Sequence, residues 1–110
     1  MTEHKVNTIN AQELKKRRDQ DPHLCLIDVR EDHEWQEQRI PGALHIPKDT
    51  ISTTIRATVP ELDTPVYLHC RGGVRSLAVA NELLTLGYQN VYSIDGGITD
   101  WVHAGYPVET

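Results

Sequence analysis

VYLHCRGGVRSLAVANELLTLG, residues 66–87, is the stretch on which the fold of this chain turns. Its opening, Val66–His69, is a short apolar run of the kind that forms a strand buried on both faces. Its close, Ser76–Leu86, places Val79, Ala80, Leu83 and Leu84 on one helical face, with Gly87 as the stop. Between the two lies a loop in which one cysteine, two glycines and two arginines are crowded together. A strand feeding a helix through a tight loop is half of a βαβ unit.

The flanks repeat that alternation. Val6–Ile9 reads as a short strand, and Asn10 with Glu13 reads as a capping box that starts a helix through about Arg18. The run Lys15–Arg18 is expected to be the solvated end of that helix, where cations suit the dipole. A docking patch for an acidic partner is the minor alternative. Leu24–Val29 is a second buried strand, REDHEW a short helical turn, and Leu44–Ile46 a brief strand after the loop Arg39–Ala43. Thr50 to about Thr58 reads as a helix ended by Pro60, and Val91–Ile94 as a last strand. GG then leads into a short helix, ITDWVHA, stopped by Gly105 and Pro107. Together these predict an α/β domain with a mainly parallel sheet. In such sheets ligands bind beyond the carboxyl ends of the strands, and Cys70 sits at such an end.

The 110 residues suffice for one domain with one core, 1–110. No apolar run approaches the roughly 20 residues of a membrane span, and the N-terminus lacks the apolar stretch of a secretory signal. A cytoplasmic location is expected. The net charge of −5 argues against nucleic-acid binding. From Glu61 to Thr110 there are six acidic residues and two basic ones, and both cations, Arg71 and Arg75, flank Cys70. This pattern suggests a local anion site within an acidic half. Two cysteines and six scattered histidines fit neither a disulfide framework nor a zinc site, so no metal is expected.

The loop has the makings of a thiolate cradle. A cysteine attacks as its thiolate, and an ordinary thiol is mostly protonated at neutral pH. The N-terminus of the following helix, the charges of Arg71 and Arg75, and backbone N–H groups curled inward at Gly72 and Gly73 should all lower the pKa of Cys70. Cys25, set among apolar residues, reads as a packing thiol. His69 points to the opposite face from its neighbour and reads as a satisfied core histidine. Trp35 and Trp101 read as packing anchors.

Three separated motifs resemble the rhodanese family. Leu26–Pro47 (LIDVREDHEWQEQRIPGALHIP) is similar to its first signature, HCRGGVRS to its active-site loop, and Gly87–Val108 (GYQNVYSIDGGITDWVHAGYPV) to its closing signature. Gln38 and Arg39 depart from the Gly-His usual before Ile-Pro-Gly-Ala. The resemblance implies a rhodanese-like fold, a small mainly parallel sheet flanked by helices on both faces. It implies a thiosulfate sulfurtransferase in which Cys70 is the nucleophile and carries a sulfane sulfur as a persulfide. Arg71, Gly72, Gly73, Val74, Arg75 and Ser76 would bind the substrate, with the N–H groups of the loop through Arg75 around the outer sulfur. Asp28 and Arg30 would be structural supports. No cofactor is implied, because the sulfur rides on the enzyme. The partners implied are a small donor such as thiosulfate and a thiol acceptor, either a small thiol or a redox protein. A cysteine phosphatase is the rival reading, but only four residues separate Cys70 from Arg75 where phosphatases have five. A binding module without turnover is the other.

Overall fold

The computed structural model describes residues 4–110. Five parallel strands form one sheet in the order β1-β5-β4-β2-β3, where β1 is Asn7–Ile9, β2 Cys25–Asp28, β3 Leu44–His45, β4 Val66–His69 and β5 Val91–Ile94. Helices α1 (Ala11–Gln20), α2 (Asp32–Glu37), α3 (Ile51–Thr58), α4 (Val74–Thr85) and α5 (Gly97–His103) fill the connections. The predicted fold class and element order are therefore observed.

Side-chain alternation along the central strands builds two cores. Ile27, Val66 and Leu68 face one side, where α3 and α4 contribute Ile51, Ile55, Val79, Ala80 and Leu83. Leu26 and Tyr67 face the other, where α1 and α5 contribute Ala11, Leu14, Ile98 and Trp101. With helices on both faces, the middle strands are buried on both sides, and their near-continuous apolar sequences follow.

Strand order also fixes where the site lies. From β2 the chain moves outward to β3, and from β4 it moves the other way to β5. At such a divergence the connections leave a crevice beyond the strand ends. The segments after β2 and β4, which include α2 and the Cys70 loop, border this crevice.

Several local expectations need correction. Asn10 caps α1 by accepting the Glu13 N–H at 2.8 Å, but the Glu13 carboxylate turns to Arg17 instead of completing the box. The reciprocal box occurs at α2, between Glu31 and Glu34. The run Lys15–Arg18 is not uniformly solvated. Arg17 donates to the Tyr67 hydroxyl at 3.0 Å and lies over the Tyr92 ring, and Arg18 donates to the Pro41 carbonyl and lies over Trp101. Their long stems let these two cations cover the α1 face of the sheet while α1 itself continues to Gln20. Finally, α4 begins at Val74 rather than Ser76, because Gly73 caps it in a left-handed conformation, φ +109°.

Candidate active site

Cys70 follows β4 directly, and its residue is only 1% exposed. Its sulfur accepts the Gly73 N–H at 3.1 Å and the Ser76 N–H at 3.4 Å. The Ser76 hydroxyl lies 3.6 Å from the sulfur and is itself fixed by the Ser93 hydroxyl at 2.8 Å. Burial alone would push the thiol up. The backbone and hydroxyl donors of Ser76, with the N–H groups of Gly73 and Gly72, outweigh it and hold Cys70 below the ordinary thiol value. The N–H groups of Val74 and Arg75 are the remaining first-turn donors of α4, with no acceptor inside the helix.

The loop is shaped from outside as well as from within. At the start of α5, Ile98 N–H donates to the Cys70 carbonyl at 3.0 Å and Thr99 N–H donates to the Arg71 carbonyl at 3.1 Å. With both carbonyls drawn toward α5, the later N–H groups are left for the sulfur. Gly97 makes this approach possible. It has φ +52°, and a Cβ there would stand 2.4 Å from the Cys70 carbonyl oxygen and 2.5 Å from that of Arg71. In the sequence the dipeptide Gly96–Gly97 reads as a lead into a helix and as part of the closing signature, not as a partner of the cysteine loop. Its partner, the cysteine loop, lies more than twenty residues away.

The two arginines differ in role. Arg71 is exposed on a cleft of about 440 Å³ that Cys70 opens onto, bordered also by Gly72, Val74, Arg75, Gly96, Thr99 and Asp100. Arg71 and Thr99 also border an adjoining cleft of similar volume along α2. Arg75, by contrast, donates to both carboxylate oxygens of Glu34, at 2.6 and 2.9 Å. That guanidinium holds the Glu34 carboxyl down to about 2 and is itself held above its usual range. Sequence reasoning missed Glu34 as a site residue. The available signal was its spacing from Glu31, three residues apart at a helix start.

Behind the loop, Asp28 and Arg30 form a buried two-pronged pair, and Arg30 also donates to the Gln38 carbonyl at 2.6 Å. This pair ties the end of β2 to the end of α2, as a structural support would. His69 is fully buried, as expected of a core residue, but it is not fully satisfied. Its Nδ1 lies 3.3 Å from the Cys70 carbonyl, while Nε2 has no hydrogen-bond partner and stands 3.6 Å from Asp28. Burial pushes its imidazole below the usual histidine range, against the pull of Asp28. Cys25 is half-buried, and burial raises its thiol. Trp101 is buried and donates to the Pro107 carbonyl at 2.7 Å, while Trp35 is half-buried and stacks on His45. Among the described residues the densest set of metal-ligand side chains is Glu31, His33 and Glu34. The Glu34 carboxylate in that set is already occupied by Arg75.

Comparison with known proteins agrees with this architecture. A family model described as the rhodanese-like domain matches residues 10–104. The chain belongs to the rhodanese-like family. Among its relatives, a thiosulfate sulfurtransferase GlpE of Tolumonas auensis is 40% identical over 86 residues, 78% of each chain. A sulfurtransferase of Allochromatium vinosum is 33% identical over 103 residues, 94% of each chain. The crystal structure of a rhodanese-related protein from Thermoplasma volcanium superposes with TM-score 0.78 at 30% identity, covering 94% of this chain and 97% of the other. No helix of the described residues is long and apolar enough to cross a membrane. In this rhodanese-like chain the departure at Gln38-Arg39 has a visible use. Arg39 pairs with Glu109 at 3.2 Å, forms an isolated antiparallel bridge with it, and lies over Trp35, so it fastens the C-terminal segment to α2.

Proposed function

We propose that this chain is a single-domain sulfurtransferase whose nucleophile is Cys70. The observation that carries the reading is a nearly enclosed sulfur held by the N–H groups of Gly73 and Ser76 at a helix start. The names of its sulfurtransferase relatives support it. In the first step the Cys70 thiolate attacks the outer sulfur of thiosulfate. The S–S bond of the donor breaks, and sulfite leaves with the bonding electron pair. The product is a persulfide anion on Cys70, which the N–H groups of the loop, including those of Val74 and Arg75, stabilise as they do the thiolate. In the second step an acceptor thiolate attacks that outer sulfur, takes it away, and returns the Cys70 thiolate. Arg71, exposed at the cleft, receives the oxyanion end of the donor. Every electron pair is accounted for by donor and acceptor, so no cofactor enters.

The test is direct. Incubation with thiosulfate should add one sulfur atom, removable by cyanide and mapped by peptide mass to Cys70. Thiosulfate:cyanide transfer should follow ping-pong kinetics, since sulfur rests on the enzyme between substrates. Cys70→Ser should abolish loading. Hydrolysis of an aryl phosphate that vanishes in Cys70→Ser, without sulfur loading, would overturn the reading in favour of a phosphatase. A folded protein that loads from no sulfane donor would overturn it in favour of a binding module.

A further inference from the structure

Of the two cations that flank Cys70 in sequence, one is matched by a counter-charge and the other is not. Glu34 engages Arg75 with both oxygens, and Oε1 also accepts the Glu31 N–H at 3.0 Å. The pair is partly shielded, with side-chain exposures of 32% for Arg75 and 17% for Glu34. Two-pronged geometry of this kind fixes direction as well as charge. Arg17, Arg30 and Arg39 are likewise paired with Glu13, Asp28 and Glu109. Among the described residues no ion pair involves Arg71, which stands exposed between the two clefts. The charged groups bordering the two clefts are Arg71 and Arg75 on the loop and α4, Arg30 after β2, Glu34 and Glu37 from α2, and Asp100 from α5, with His33 and His103 beside them. Asp28 lies behind buried His69, 3.6 Å from its Nε2.

Resting on the sulfurtransferase reading above, we infer that Glu34 is a positioning residue that sets the enzyme's preference for donor charge. By occupying Arg75 it leaves Arg71 as the cation that meets the incoming donor. The cradle then keeps its N–H donors while the charge of Arg75 is offset beside it. Uncharged sulfane donors and anionic ones can therefore both be served. Glu34 acts through Arg75, so its effect requires that arginine.

The experiment measures kcat/KM for thiosulfate and for an uncharged organic trisulfide in four proteins: the unaltered chain, Glu34→Gln, Arg75→Gln and the double variant. Glu34→Gln keeps one hydrogen bond to Arg75 and removes the charge. It should raise kcat/KM for thiosulfate roughly three- to tenfold, with steeper salt dependence, and leave the trisulfide nearly unchanged. In the Arg75→Gln background the same substitution should have little effect. A thiosulfate gain that survives in that background would overturn the inference, because Glu34 would then act by its own field. Equal changes for both donors, or a fall for thiosulfate, would overturn it too. Should Glu34→Gln fail to fold, Glu34→Asp loosens the pair while keeping the carboxylate, and a smaller gain of the same sign is expected. No gain there would overturn the inference. Sulfur loading on Cys70 in the unaltered chain separates the two levels. Its absence overturns both readings, whereas normal loading without selectivity changes overturns this one alone.

Discussion

Cys25 and Cys70 sit at opposite ends of adjacent strands, one opening β2 and the other following β4, and their thiols are driven in opposite directions. Burial raises Cys25, the less enclosed of the two. Cys70 is more enclosed and yet lies below the ordinary value. The difference is strand polarity. The carboxyl end of β4 runs into the N-terminus of α4, where unpaired N–H groups are available, while the amino end of β2 meets only a loop. Burial decides the pKa of a thiol when no donor is near. Aimed donors reverse the sign.

The contrast can be broken most completely at Gly97. Gly97→Ala forces a methyl group against the Cys70 and Arg71 carbonyls and strains the backbone, so the loop must shift. Loading of Cys70 with sulfur should slow by at least about a hundredfold, the scale of losing one aimed donor. The melting temperature should fall as well. A Gly97→Ala protein that loads at the normal rate would show that α5 does not hold the cradle.

The pH dependence of alkylation offers a second approach. The thiolate reacts, so the group with the lowered pKa reacts at lower pH. Read in Cys25→Ser, Cys70 should reach half its maximal rate with iodoacetamide below the ordinary thiol value of about 8.5. Read in Cys70→Ser, Cys25 should do so above that value. Coincident profiles would erase the comparison.

Smaller effects sharpen it. Ser76→Ala removes the hydroxyl near the sulfur but keeps the N–H. Alkylation of Cys70 should therefore shift upward by about one pH unit or less, while stability drops about 1 kcal/mol as Ser93 loses its partner. A downward shift would mean that the hydroxyl destabilises the thiolate. Smallest of all is Gly72→Ala. Nothing lies within 4 Å of a Cβ placed there, so unfolding by denaturant should change by no more than about 1 kcal/mol. A loss of several kcal/mol would show that Gly72, like Gly73, is held by backbone need.

The strands, their order along the chain and the donors around Cys70 were legible in the sequence, because each depends on neighbours a few residues away. Val66–His69 is buried on both faces, as its apolar run implies. What it hid were pairings at a distance. The partner of Arg75 is Glu34, 41 residues earlier, and nothing local distinguishes that arginine from Arg71. The same holds for Arg17 and Arg18, whose polar appearance conceals stems laid across Tyr92 and Trp101. The helix boundary at Val74 escaped because Gly73 reads equally well as loop or as cap.

The grip of α5 on the Cys70 and Arg71 carbonyls carries a consequence for the order of assembly. The residues that shape the Cys70 loop stand well downstream of it, so Gly97–Thr99 leave the ribosome after Cys70 and β5 do. A chain that has reached only β5 has the Gly73 and Ser76 donors but lacks the α5 contacts that hold the loop around them. Until α5 docks, the carbonyls of Cys70 and Arg71 lack the two N–H donors that hold them, and the loop is not yet set. A fragment ended at Asp95 should alkylate Cys70 with the pH profile of an unstructured thiol.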